Sequence, residues 1–402
     1  MLAKTPYTSQ ERRAVLGLAV LYSLRMVGLF MVLPLLGVYA ADLAGATPSN
    51  VGLALGAYGL TQALLQTPLG WLSDRIGRKP VILGGLAVFI AGSAVAALAD
   101  SIGGVIAGRF LQGGGAVAAA LMALAADYTR EDQRTKTMAI IGASIGGAFV
   151  LSLIVGPLIA AVGGLSLVFW VTAGLGIFGV LLVQFGLPKP PQLTEAGHQH
   201  GLQPGRVRAV AAGHGLPPLY LSIFLLHAML MSVFLVIPGR LNDVIGLPAD
   251  HHWAVYLGAV VLSLPGTLML LRQRRASEVP RWALAIALAC LLLGMALAFV
   301  ANDLWWLGGG VALFFLGFNT LEASLPSLVS LRAPGTDRGT AMGLFSTGQF
   351  LGAFLGGWAG GLALAAFGPA GLAQGWLVLV ALWAVLLVRG PDLSPEATTI
   401  SD

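Results

Sequence analysis

Four ionisable side chains lie deep inside otherwise apolar stretches: Arg25, Arg109, His227 and Glu322. A charge in hydrocarbon costs several kcal/mol unless it faces protein or water, so each is a functional candidate. Glu322 is the only deep acid, and a carboxyl can load and release a proton. His227 suits a proton relay, because an imidazole changes charge near physiological pH; a plain buried hydrogen bond is the other reading. Arg25 serves either as a structural and electrostatic counter-charge, pairing with Glu322, or as a contact for an anionic solute. At a rise of ~1.5 Å per residue, Arg25 lies about 18 Å beyond Arg13. His227 lies about 15 Å beyond Pro217, and Glu322 about 15 Å before Arg332. All three converge on one depth.

Enzymatic chemistry finds little support. There is no HExxH and no pair of deep carboxylates, so an intramembrane enzyme is a remote alternative. Cys290 is the single cysteine, which excludes an internal disulfide and a cysteine metal cluster. His198 and His200 stand in a Gly/Pro-rich loop and read as solvated linker, so no metal site and no cofactor is expected.

These side chains need a scaffold, and composition names it. The 402 residues are 57% hydrophobic and 10% charged, against ~25% charged in a soluble domain. A bilayer removes the problem of hiding that surface. Apolar runs long enough to cross as helix fall at 14–41, 51–72, 80–99, 102–126, 137–163, 165–187, 217–241, 252–272, 281–301, 304–330, 339–366 and 370–389. The first is too long for a signal-peptide core and is interrupted by Arg25, so it is a retained helix.

The fold class is therefore an all-α membrane protein of twelve transmembrane helices. Residues 1–187 form an N-terminal six-helix half, 188–216 a central cytoplasmic linker, and 217–402 a C-terminal six-helix half. Every Lys and Arg except Arg25, Arg109 and Arg240 then falls on the side of the termini. The positive-inside rule makes that side cytoplasmic, and places the protein as a multi-pass chain of the inner membrane. The net charge of +5 is spread over short loops, so nucleic acid is excluded as a partner. The expected partners are a small-molecule substrate and the bilayer, with the protein working as a monomer.

The most specific local signal is Gly70-Trp71-Leu72-Ser73-Asp74-Arg75-Ile76-Gly77-Arg78-Lys79, between helices two and three. Gly77 supplies the freedom for a tight turn. Asp74 can pair with a basic side chain, and Arg78 can reach Asp127 at the inner end of helix four. Helix four carries Arg109-Phe110-Leu111-Gln112-Gly113-Gly114-Gly115-Ala116, and helix five Ser152-x-x-x-Gly156-Pro157-x-x-Ala160-Ala161. Helix eleven repeats Gly348, Gly352, Gly356 and Gly360; helix five carries Gly142 and Gly146. Such ladders allow close helix approach. Gln62, Asn319 and Gln349 are polar groups that either line a cavity or bond a neighbouring helix.

The loop between helices two and three closely resembles the signature of the major facilitator superfamily. Helix four resembles that family's pattern with a mid-membrane arginine linked to proton coupling, and helix five a degenerate glycine-proline antiporter motif. Leu24 to Pro34 resembles the first helix of the YajR-like branch of the drug/proton antiporters. Some of that branch carry a soluble domain after helix twelve; this chain ends at Asp402, so no such regulatory role is expected.

The resemblance implies the major facilitator fold, with helices one, four, seven and ten around a central cavity, and helices five and eleven against the opposite half. It also implies a conformational latch of Gly70, Asp74, Arg75, Gly77, Arg78, Lys79 and Asp127, holding the cytoplasmic side shut in the outward-open state. Ser152, Gly156, Pro157 and Ala160 form the antiporter-like motif. Together the residues and the resemblance predict a proton-coupled antiporter exporting small, lipophilic or drug-like solutes, driven by the proton gradient. A sugar or metabolite uniporter or symporter of the same fold is the alternative.

Overall fold

The computed structural model describes residues 6–188, 204–213, 215–272, 280–334 and 337–389. His198 and His200 lie outside them. Nine helical stretches among the described residues are long and apolar enough to cross a membrane. Two of these each hold two crossings. Glu131–Leu181 turns at Gly163 and Gly164, the latter at φ 63°, and Arg338–Arg389 turns at Gly368-Pro369, with Gly368 at φ 67°. Positive φ is open to glycine at little cost, which is why the reversals fall there. Helix two, Pro48–Ile76, adds the remaining crossing; its glycines and glutamines dilute its hydropathy. The turns lie where the sequence predicts the boundaries between helices five and six and between eleven and twelve.

Several crossings are broken, and the breaks shape the centre. Helix one runs Ser9–Phe30 and resumes as Leu33–Tyr39. Pro34 has no N–H to give to Phe30, so the hydrogen-bond ladder lapses there. Helix four runs Ile102–Gly114 and resumes as Ala118–Tyr128. Its glycine run lets Gly115 adopt ψ 42°, outside the helical range. The other central helices are helix seven, Pro217–Gly239, and helix ten, Leu304–Arg332. Helix eight is His252–Arg272 and helix three Arg78–Ala97.

The N-terminal half is tied together at the end that carries the termini. Thr8 and Glu11 form a capping box, and Glu11 also accepts from the Arg130 side chain at 2.9 Å and 3.1 Å. Arg13 donates to the Gly186 carbonyl and Lys79 to that of Gln184. These basic residues, placed by topology, also close helix ends that would otherwise expose carbonyls.

Candidate functional site

The two halves meet along helices two and eleven at the end away from the termini. A Cβ added at Gly52 would lie 2.2 Å from the Gly357 carbonyl oxygen; at Gly56, 2.5 Å from that of Phe354; at Gly59, 2.5 Å from that of Phe350. Gly361 faces Pro48 and Ser49 in the same seam, and Gly37 of helix one meets Pro238 of helix seven.

Toward the termini the halves part. A spacing of seven puts Gly343, Phe350 and Gly357 on one face of helix eleven. Gly357 and Phe350 pack on helix two, whereas nothing lies within 4 Å of a Cβ built at Gly343. Helix five carries the same spacing in Gly156, Phe149 and Gly142, with Gly156 packed inside its own half. Gly156 abuts Met31, Phe149 packs across the interface, and Gly142 meets nothing. The cleft is shut at one end and open at the other.

Its closed end is roofed by aromatic rings. Phe149 stands edge-on to Phe30 at 5.2 Å, and reaches the other half at Phe315 (6.0 Å) and Phe234 (6.3 Å). Phe318 continues the cluster to His227 at 5.8 Å. Edge-to-face pairs of this kind hold an apolar surface in fixed geometry. Scattered through four helices, these residues have no common sequence period, and the sequence reading missed them.

Below the roof the second half contributes a polar cluster. His227 Nδ1 sits 3.2 Å from the Ile223 carbonyl, so it carries the proton and Nε2 accepts. The Gln349 amide donates to Nε2 at 2.8 Å. Glu322 Oε2 lies 3.9 Å from the same nitrogen, is occluded, and has no hydrogen-bond partner. The Glu322 side chain as a whole is 36% exposed, so its exposed surface lies on the Oε1 side. One oxygen faces the cleft and the other the imidazole. A second proton on His227 would turn Nε2 into a donor, and Glu322 Oε2 is the acceptor placed to receive it.

The first half contributes a cation. Arg25 Nη2 donates to Tyr58 Oη (2.7 Å), Gln62 Oε1 (2.9 Å) and the Gly115 carbonyl (3.3 Å). Among the described residues, no acid lies in ion-pair reach of Arg25. The alternative reading, an Arg25–Glu322 pair, is not formed in this state: Arg25 bonds within the first half, and Glu322 lies beside His227 in the second. Arg109 is separated from the other three ionisable groups. It is 1% exposed and donates to the Ala54 and Leu55 carbonyls and to Gln112. Gln112 in turn donates to Ser93. In this state Arg109 staples helix four to helices two and three rather than lining the cleft, because glycines at 108, 113 and 115 bring those backbones within its reach.

Tyr58 was not foreseen either. Its hydroxyl accepts from Arg25, its ring lies 5.4 Å from the Arg109 guanidinium, and its edge meets Phe350 across the seam at 6.5 Å. Asn319 donates to Ser263 of helix eight.

The predicted latch residues come together at the open end. Arg78 donates to Asp74, to Ser73 Oγ (2.8 Å) and to Asp127 (3.2 Å), while Gly77 turns at φ 98°. Arg75 lies over the Trp71 ring, Lys79 reaches Gln184, and Gly70 approaches Ala119. All these partners belong to the N-terminal half. The cluster is therefore complete while the cleft is open on its side, so its formation alone does not mark the outward-open state.

The helix-eleven glycine ladder is a close-packing face. Gly348, Gly352, Gly356 and Gly360 face Tyr220, Phe224, Ala228 and Ser232 of helix seven, inside their own half. The seam between halves uses the neighbouring face, Gly357 and Gly361. On helix five, Ser152 bonds the Phe149 carbonyl and Ala160 is buried; Gly156, next to Pro157, packs on the helix-one break.

Comparison with known proteins agrees with this architecture. The sequence profile of the Major Facilitator Superfamily matches residues 18–356. The chain is 43% identical to the inner membrane transport protein YajR of Escherichia coli (strain K12) over 377 residues, covering 94% of this chain and 83% of that one. It is 27% identical to the quinolone resistance protein NorA of Staphylococcus aureus (strain COL), covering 82% and 84%. A crystal structure of a bacterial homologue of the human lysosomal transporter Spinster, inward-facing and unoccupied, superposes at a TM-score of 0.75 and 15% identity over 96% of this chain and 98% of that one.

Proposed function

Because this chain belongs to the major facilitator superfamily and is a multi-pass secondary transporter, we propose that it is a proton-coupled antiporter exporting lipophilic small molecules across the inner membrane. The observation that carries this is the Glu322–His227–Gln349 cluster, with one carboxyl oxygen in the cleft and the other turned to the imidazole. The aromatic roof of Phe30, Phe149, Phe234, Phe315 and Phe318 supports a lipophilic cargo. So does the likeness to a relative named for quinolone resistance. With the basic loops cytoplasmic, the cleft opens inward. Solute enters from the cytoplasm, the halves rock, and a proton arriving at Glu322 from outside resets the carrier. The cycle needs one chain and no cofactor.

The test is transport by purified protein in proteoliposomes under an imposed proton gradient, screened over lipophilic ions, sugars and amino acids. Uphill movement of lipophilic solute with counterflow of protons is expected. Transport of a sugar or amino acid indifferent to the gradient would replace this reading with a uniporter. For the topology, reporter fusions within 188–216 and after Arg389 should both score cytoplasmic, and a periplasmic score at either contradicts the orientation.

The Arg78 cluster we assign to the rocking step, where the closing second half would meet it. Asp74→Asn and Arg78→Ala should slow turnover about fivefold, since a partly exposed pair is worth ~1 kcal/mol. Folding and equilibrium solute binding should persist. Turnover equal to wild type in both variants would leave the cluster a topological signal only.

A further inference from the structure

Proton coupling through Glu322 leaves Arg25 without a role, and its surroundings are unusual. The residue is 2% exposed. Three acceptors crowd onto Nη2, whereas Nε and Nη1 have no partner. A buried cation held this way is costly, because neutral acceptors on one nitrogen do not replace a counter-ion. Nor is one available nearby. The acids of the N-terminal half, among them Asp42, Asp74, Asp100 and Asp127, stand at helix ends, while Arg109 adds a second buried cation beyond the Tyr58 ring. The interior of that half is electropositive.

Two further features connect the charge with the cleft. Tyr58, Gln62 and Gln66 follow at intervals of four along one face of helix two. Gln62 bonds Arg25 and also donates to Gln66 at 3.4 Å, and Gln66 is partly exposed on the open side of the seam. A polar track thus runs from the cleft toward the guanidinium. At the other end Tyr58 touches Phe350 of the opposite half, so rocking must disturb the cage around Arg25.

We infer that Arg25 is an anion-recognition residue for the transported solute, which carries a carboxylate or comparable anionic group that takes the free guanidinium donors. The inference rests on the transport reading above but not on its proton coupling.

The test measures binding without a gradient, using full-length protein in detergent and three naphthalene probes bearing a carboxylate, a carboxamide or a trimethylammonium group. Binding to the folded state raises the melting temperature as the site saturates. The carboxylate should stabilise the wild type and the other two should not. Arg25→Lys should keep part of that shift and Arg25→Gln none. Equal shifts from carboxylate and carboxamide, no shift in the wild type, or a carboxylate shift surviving in Arg25→Gln would each overturn the inference.

A second measurement separates recognition from structure. Without probe, Arg25→Gln should melt no lower than wild type, because it removes an uncompensated charge. A fall of more than about 5 °C, or failure to insert, would make Arg25 a structural residue. Carboxylate binding by a protein that moves no protons would leave Arg25 as assigned and sink the antiport reading.

Discussion

Glu322→Gln is expected to abolish proton-driven accumulation, reducing the concentration ratio to about 1, while solute exchange down a gradient continues. A carrier coupled to protons needs a group whose proton affinity differs between its two openings. Glu322 meets that requirement structurally. One oxygen sees the cleft, whose exposure changes when the halves rock, and the other is sealed against His227 within the same half. Glutamine preserves the size and the contact with His227 but fixes the site as neutral. Glu322→Asp, which keeps the carboxyl on a shorter stem, should retain coupling at reduced rate. If the glutamine variant still concentrates solute, coupling lies elsewhere, with His227 next. If the glutamine variant fails to insert while Glu322→Asp inserts, the carboxyl is structural and the proton reading loses its basis.

Glu322 was legible as a candidate because hydrocarbon is unforgiving: an acid in mid-span stands out in any sequence. The same logic exposed Arg25, Arg109 and His227, and the loop motif gave Asp74, Arg78 and Asp127 as a group. What the sequence did not disclose is which neighbour each group meets. Arg25 lies at the right depth to pair with Glu322, yet binds Tyr58, Gln62 and Gly115. Gly115 can accept because helix four breaks there, and a run of glycines does not announce which one leaves the helix. Arg109 was legible as buried but not as a staple, since its acceptors are the backbone carbonyls of Ala54 and Leu55. Periodicity shows which residues share a face, not which helix faces them. That is why the helix-eleven ladder could be read as a close-packing face but not assigned to helix seven, on which it packs.

The seam that does lie between the halves yields the other large effect. Gly52→Ala should drive the protein away from the state with its far end closed. The added Cβ would sit 2.2 Å from the Gly357 carbonyl oxygen and 2.9 Å from the Gly361 Cα, both backbone atoms that cannot turn aside. Overpacking of this kind costs about 1–3 kcal/mol, which shifts a two-state population by roughly five- to 150-fold. The helix itself loses nothing, since alanine is favoured over glycine in a helix interior by ~0.5–1 kcal/mol. The penalty therefore falls on the approach of the halves rather than on folding. Gly356→Ala is the contrasting variant: its Cβ would lie 2.2 Å from Ala228 Cα within one half, so it should lower the melting temperature instead. Spin labels at Asp100 and Asn302, exposed at the far end of opposite halves, report the difference in a Cys290→Ser background. Gly52→Ala should lengthen that distance distribution and slow transport, with melting near wild type, whereas Gly356→Ala should leave the distance unchanged and lower the melting temperature. An unchanged distance in Gly52→Ala with full transport would mean that the seam yields to a methyl group, and that the halves are held shut by the aromatic roof instead.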